Sequence, residues 1–114
     1  MKIEGQNYIV TYDSSSSTIC CEGAFRLRGM AEYSPIMELL DTVANQKPKN
    51  VILNLTGLKF MNSSGINVIS KFVIKLRRQK SSDLVVLCTS KYPWQIKSLR
   101  NLERLMPGLK LEVD

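Results

Sequence analysis

Apolar residues recur along the chain in two periods, one of two residues and one of three to four, and the changes of period mark out the elements. Ile3–Tyr12 (IEGQNYIVTY) and Thr18–Leu27 (TICCEGAFRL) are rich in β-branched and aromatic residues and predict two strands. The polar link between them, Asp13 and Ser14 to Ser17, is short enough to join them as an antiparallel hairpin. Gly29 then breaks the pattern. Ser34-Pro35 reads as an N-cap followed by proline at the first helical position, with Met30 as an earlier alternative start. Ile36, Leu39, Leu40, Val43 and Ala44 follow at helical spacing, with Glu38, Asp41, Thr42 and Asn45 on the other side, and Lys47-Pro48 ends the helix.

Val51–Leu55 (VILNL) is a compact apolar run, as expected of a strand covered on both faces. Thr56-Gly57 and Leu58–Met61 lead from it into a polar corner, Asn62-Ser63-Ser64-Gly65. Beyond the corner Ile66, Ile69, Val73 and Leu76 form one helical stripe, widened by Phe72, while Asn67, Lys71, Lys75 and Arg78 lie outside it. Leu84–Cys88 repeats the buried-strand pattern. Tyr92-Pro93 opens a further helix with Ile96, Leu99, Leu102 and Met106 inward, Pro107-Gly108 stops it, and Leu109–Val113 alternates as a half-exposed strand does. The predicted order is β-β-α-β-α-β-α-β, which places the chain in the α/β class as one domain over residues 1–114, a mixed sheet with helices packed on it.

Composition agrees with this reading. The chain has 114 residues, 44% hydrophobic and 23% charged, values ordinary for a folded globular domain. No apolar run approaches the roughly 20 residues that cross a bilayer, and the N-terminus lacks a secretory pattern, so a soluble, cytoplasmic protein without membrane insertion is expected. The three cysteines, Cys20, Cys21 and Cys88, form no CxxC pair, and neighbours in a strand point to opposite faces. With no histidine in the chain, neither a metal site nor a cofactor is expected, and the usual general base near neutral pH is missing. No catalytic residues are therefore assigned.

The net charge is +6, from 16 Lys and Arg against 10 acidic residues. Lys71, Lys75, Arg77, Arg78 and Lys80 cluster at the end of the central helix, and Lys91, Lys97, Arg100 and Arg104 lie in the C-terminal third. Such a field suits nucleic acid, an anionic surface or an acidic partner. No aromatic residues interleave the basic ones as a stacking platform needs, which favours solvated helix faces over a nucleic-acid interface.

The corner carries the most specific chemistry. A serine at the start of a helix caps free N–H groups, a contribution of about 1 kcal/mol, and that purely structural role for Ser63 or Ser64 stands beside a functional one. The functional reading is that a helix N-terminus favours negative charge, so a phosphate on Ser63, about −1.5 to −2 charges, is tolerated there and is felt mainly by a docked partner. Gly65 costs about 1 kcal/mol relative to alanine inside a helix and is expected to let another backbone or a phosphate approach closely.

The element order, the segment VILNLTGLKFMNSSGINVI and the helix after it resemble the STAS domain, the fold of bacterial anti-sigma-factor antagonists, over essentially the whole chain from Ile3 to Val113. In that family a hydrophobic strand leads into an Asp-Ser-Ser-Gly or Asp-Ser-Thr-Gly corner. The serine after the aspartate is phosphorylated by a serine kinase that is also the anti-sigma factor, and phosphorylation releases the partner. The resemblance implies a regulatory protein-binding module in signalling and transcription control, with Ser63 as phosphoacceptor and Ser64 and Gly65 completing the motif. It also implies a docking surface of Asn62, Ser63, Ser64, Gly65, Asn67, Ser70 and Lys71, with Gly29 and Met30 on the loop after the second strand, where Met30 fits the core equally well. The implied partners are a serine kinase or anti-sigma-factor-like protein and a phosphatase. Asn62 departs from the family's aspartate, keeping its size and one acceptor oxygen but not its charge. That departure favours docking over phosphorylation and keeps open a docking or scaffold protein that is never phosphorylated.

Overall fold

A computed structural model describes residues 1–114. Six strands form one sheet in the order β1-β2-β3-β4-β5-β6. β1 (Lys2–Glu4), β2 (Tyr8–Asp13) and β3 (Thr18–Phe25) are antiparallel neighbours, whereas β4 (Asn50–Met61), β5 (Asp83–Cys88) and β6 (Lys110–Val113) add on in parallel. Parallel pairing needs crossovers, and these are α1 (Gly29–Asn45), α2 (Ser63–Gln79) and the pair α3 (Pro93–Leu99) and α4 (Leu102–Leu105). The sheet is mixed, as the pattern predicts.

Three local expectations change. The first predicted strand is two, because Gly5-Gln6-Asn7 supplies turn chemistry inside the run: the Gly5 N–H donates to the Tyr8 carbonyl at 2.9 Å and Ile3 pairs with Val10. The first helix starts at Gly29 and not at Ser34-Pro35. Gly29 turns the chain at φ +63°, a conformation glycine adopts without strain, and the Glu32 carboxylate accepts from the Arg28 N–H at 3.0 Å. Pro35 therefore lies inside the helix, and Ser34 caps nothing. The last predicted helix divides into α3 and the single turn of α4.

A fourth change concerns the strands Val51–Leu55 and Leu84–Cys88, which are covered on one face only. Val51, Leu53 and Leu55 are buried together with Val10, Ile19, Cys21, Leu84, Val86 and Cys88, while Ile52, Asn54, Val85 and Leu87 are half-exposed. All the helices lie over the first set. Ile36, Leu40 and Val43 of α1 and Ile69, Val73 and Leu76 of α2 complete a core two layers deep. At roughly 25 cal/mol per Å², the apolar area buried there is the main term holding sheet and helices together.

β4 runs several residues past the end of β5, and this extension carries the corner. Beyond Asn54 its only strand neighbour is β3, with register offsets near Cys20–Glu22 and Gly23–Ala24. On its free side the fully buried Gln95 stands in for a strand. Its amide nitrogen donates to the carbonyls of Leu55 (2.7 Å) and Leu58 (2.9 Å), and its oxygen accepts from the Thr89 N–H (2.9 Å). The indole N–H of Trp94 donates to the Lys59 carbonyl at 2.7 Å. A buried carbonyl without a partner costs about 1–3 kcal/mol, so these side chains make the overhang tenable.

Candidate functional site

Asn62 is the hinge pin of the corner. It is the N-cap of α2, in extended conformation, and its side-chain oxygen accepts from the Gly65 N–H at 2.9 Å and from the Tyr33 hydroxyl at 2.8 Å. Its amide nitrogen donates to the Leu27 carbonyl at 2.7 Å, and its backbone N–H donates to the Phe25 carbonyl at 3.0 Å. Two donors converge on one end of the side chain and an acceptor faces the other, so the orientation of the amide follows from its partners. The cap is thus Asn62 and not Ser63 or Ser64.

The same network gives the Asp-to-Asn departure a physical reason. An aspartate could accept from Tyr33 and Gly65 but would set a carboxylate oxygen against the Leu27 carbonyl, where only a donor fits. Burial pushes the Tyr33 phenol up to about 12, so it remains a neutral donor. Through these bonds α1, the β3–α1 loop and α2 meet at one residue, and Gly29 and Met30, expected on that loop, are instead the first two residues of α1.

Gly65 has a different role from the one its flexibility suggests. It is buried, and a Cβ there would lie 2.6 Å from Met61 Cγ and 2.8 Å from the Tyr33 oxygen. The space is taken from within, so neither a partner's backbone nor a phosphate can enter it.

The serines face outward. Ser63 is exposed and Ser64 half-buried, and neither hydroxyl bonds to the rest of the chain. As the first two residues of α2 their N–H groups have no helical acceptor, and the first turn contains no acidic residue, so the positive end of the helix is uncompensated. Asn67 and Lys71 continue an exposed line four and eight residues on from Ser63, with half-buried Ser70 beside it. Gly29 is exposed, and Met30 is half-buried against the core. Of the expected docking residues, then, Ser63, Asn67, Lys71 and Gly29 are open to solvent, Ser64, Ser70, Met30 and Asn62 are half-buried, the last with its side chain spent on the network, and Gly65 is buried.

Sequence reasoning missed Tyr33 and Leu27. A signal for Tyr33 was present, because it precedes Ile36 and Leu40 by three and seven residues and extends the apolar stripe back by one turn. Leu27 acts through its backbone carbonyl and leaves no mark on side-chain pattern.

Elsewhere no three His, Cys, Asp or Glu side chains converge as metal ligands, and all three cysteines are free. Burial raises the thiols of Cys20, Cys21 and Cys88 above their ordinary range, helped by Glu22, Cys20 and Asp114 respectively. A cleft of about 520 Å³ lies at the other end of α2, lined by Lys49, Arg77, Lys80 and Ser81 among others. No helix is long and apolar enough to cross a membrane.

Solved structures share this architecture. A chain in the crystal structure of the diguanylate cyclase SiaD in complex with its activator SiaC from Pseudomonas aeruginosa aligns over 100% of this chain and 99% of its own, with a TM-score of 0.76 and 10% identity. SiaC of Pseudomonas aeruginosa aligns over 100% and 98% at 0.73 and 8% identity. An anti-sigma factor antagonist from Mycobacterium paratuberculosis aligns over 95% and 90% at 0.69 and 14% identity. At such identities the likeness is one of fold. No curated protein matches the chain. The sequence profile of the STAS domain matches residues 31–112, from the first turn of α1 to the last strand and through the whole corner. With most of the chain matched by that profile and its architecture shared with an anti-sigma factor antagonist, the protein belongs to the STAS domain family.

Proposed function

We propose that this protein is a regulatory docking module that binds a serine kinase or anti-sigma-factor-like partner through the corner at the head of α2, and that phosphorylation of Ser63 releases that partner. One observation carries the reading: an exposed, unbonded Ser63 hydroxyl stands on a helix start where the Ser63 and Ser64 N–H groups have no helical acceptor, and Asn62 holds the turn by accepting from Gly65. The step transfers the γ-phosphoryl group of ATP to the Ser63 oxygen, with loss of the hydroxyl proton and release of ADP. The added charge meets the positive end of α2, so the domain stays folded while the docked surface changes sign. The surface comprises Ser63, Ser64, Asn67, Ser70, Lys71, Gly29 and Met30, with Asn62 and Gly65 beneath it. The protein acts by binding, not catalysis, in a cytoplasmic signalling pathway that reaches transcription, and the domain takes in residues 1–114. A phosphatase completes the cycle.

Incubation with the cognate kinase and ATP, followed by intact mass, yields one added phosphate in wild type and none in Ser63→Ala. Partner binding equal in wild type and Ser63→Asp removes the switch.

A second reading is docking without phosphorylation, and Asn62 favours it. Its side chain is spent on Leu27, Tyr33 and Gly65, and no carboxylate stands beside Ser63 to orient the hydroxyl or a kinase's metal. The complex of SiaC with the diguanylate cyclase SiaD supports a partner class wider than kinases. Under this reading Ser63→Ala binds the partner as wild type does, and no kinase labels the chain.

A further inference from the structure

Three large apolar residues of this protein are exposed: Met1, Val113 and Phe60. The first two belong to the chain ends. Phe60 does not, because it sits on the overhang of β4, three residues before Ser63, which at the chain's maximum reach is within about 10 Å. The residue is 39% exposed, and the Arg26 guanidinium lies over one face of its ring at 4.8 Å from the centroid. The pairing is held from below. Ala24 pairs with Phe60 and Phe25 with Met61 across the β3–β4 ladder, and Trp94 fixes the Lys59 carbonyl on the other side.

The charges around this couple are uneven. Arg26 lies on the Phe60 ring, Lys59 precedes it in the strand, Arg28 follows Leu27 in the loop bonded to the corner, and none of the three is in an ion pair, since the protein's ion pairs are Lys2–Glu4 and Lys75–Asp41. Two carboxylates lie nearby. Glu32 is engaged by the Arg28 N–H, and Glu22 has its stem against Gly57 and accepts from the Cys20 thiol. Arginine and aromatic side chains are the residues that most often dominate the energy of a protein interface, and a guanidinium retains its donor fork for a carboxylate while lying on a ring.

We infer that Phe60 and Arg26 form a second contact beside the corner, selecting a protein partner that presents a carboxylate next to an exposed apolar side chain. The carboxylate takes the Arg26 donors, the apolar side chain covers the open part of the Phe60 ring, and Lys59 and Arg28 supply the surrounding positive field. This rests on the docking reading above and adds the chemistry of the partner to it. Single-stranded nucleic acid fits less well: a stacking platform needs successive rings, and here the neighbouring indole is committed to Lys59 while Glu22 and Glu32 repel phosphates.

The test is selection of random displayed dodecapeptides on the full chain, followed by affinity measurement of the enriched peptides by fluorescence polarisation. Enriched sequences should place Asp or Glu beside Leu, Ile, Met or Phe. Their binding should fall at least about tenfold in Phe60→Ala and in Arg26→Gln, less in Phe60→Leu, and stay unchanged in Lys80→Gln at the far end of α2. Enrichment without acidic residues overturns the inference, and so does undiminished binding to Phe60→Ala. A 20-nucleotide single strand that binds wild type and loses affinity in Phe60→Ala overturns it in favour of nucleic acid. Ser63→Asp separates the two proposals. Peptides lost in Ser63→Asp but not in Phe60→Ala leave the corner standing and sink this contact, and the reverse leaves this contact standing and sinks the Ser63 switch.

Discussion

At its head α2 is joined to α1 and to the β3–α1 loop through one side chain, whereas at its tail the same helix ends in a spray of charge. Asn62 bonds to Leu27, Tyr33 and Gly65, and no other side chain of that size supplies two acceptances at one end and a donation at the other. At the tail Arg77, Arg78 and Lys80 are exposed, Lys75 approaches Asp41 at 3.4 Å, and Arg77 reaches the Leu105 carbonyl at 3.3 Å. Those charges suit the negative end of the helix and are interchangeable among themselves. The contrast shows that one helix can carry residue-specific geometry at one end and mere composition at the other. The conspicuous charge cluster is the less specific of the two.

Mutation should expose this asymmetry. The largest effect is expected for Asn62→Ala, which removes the cap and strands both the Tyr33 hydroxyl and the Leu27 carbonyl. Urea unfolding should show a loss of about 3 kcal/mol at unchanged slope, and a loss below about 1 kcal/mol would mean the head is no more specific than the tail.

Alkaline titration examines the same network without a mutation. Burial pushes the Tyr33 phenol up to about 12 from its ordinary 10.0, so the folded state holds this proton more tightly. Its contribution is complete below pH 10 and is lost as pH rises from 10 towards 12. Thermal melts across that range should lose this limb in Tyr33→Phe.

Gly65→Ala sharpens the comparison further, because helix propensity alone favours alanine by about 1 kcal/mol. The contacts with Met61 and Tyr33 reverse the sign, and a net loss of about 1–2 kcal/mol is expected in the same urea assay. A gain would show that Met61 gives way freely.

At the tail, Lys75→Ala breaks an ion pair whose side chains are 32% and 58% exposed, and stability should change by no more than about 0.5 kcal/mol. A larger loss would place the tail on the same footing as the head.

Much of the fold was legible because it rests on periodicity. The buried stripe of α2, the apolar spacing of Ile36, Leu40 and Val43 in α1 and the polar turn after β2 each follow from local pattern, and their partners in the core are any apolar side chains of suitable size. The strand Val51–Leu55 misled for the same reason. Ile52 is as apolar as Val51, and only the stacking of every helix on one side of the sheet decides which of them is covered. Ser34-Pro35 misled because cap chemistry is a local preference, and Tyr33 and Glu32 outweigh it by bonding across the preceding turn and into the corner.

By itself the sequence determined the class of fold, the strand-to-helix corner and the serine that faces outward from it, all of which depend on neighbours within a few positions. Tertiary structure decided what each corner residue does. Asn62 meets Tyr33 across 29 positions and Leu27 across 35, Gly65 is closed off by Met61 and Tyr33, and Arg26 meets Phe60 across the ladder. Hydrogen bonds and close contacts are directional and short-ranged, so they depend on where distant segments come to lie, whereas hydrophobic burial needs only the right periodicity and is written locally.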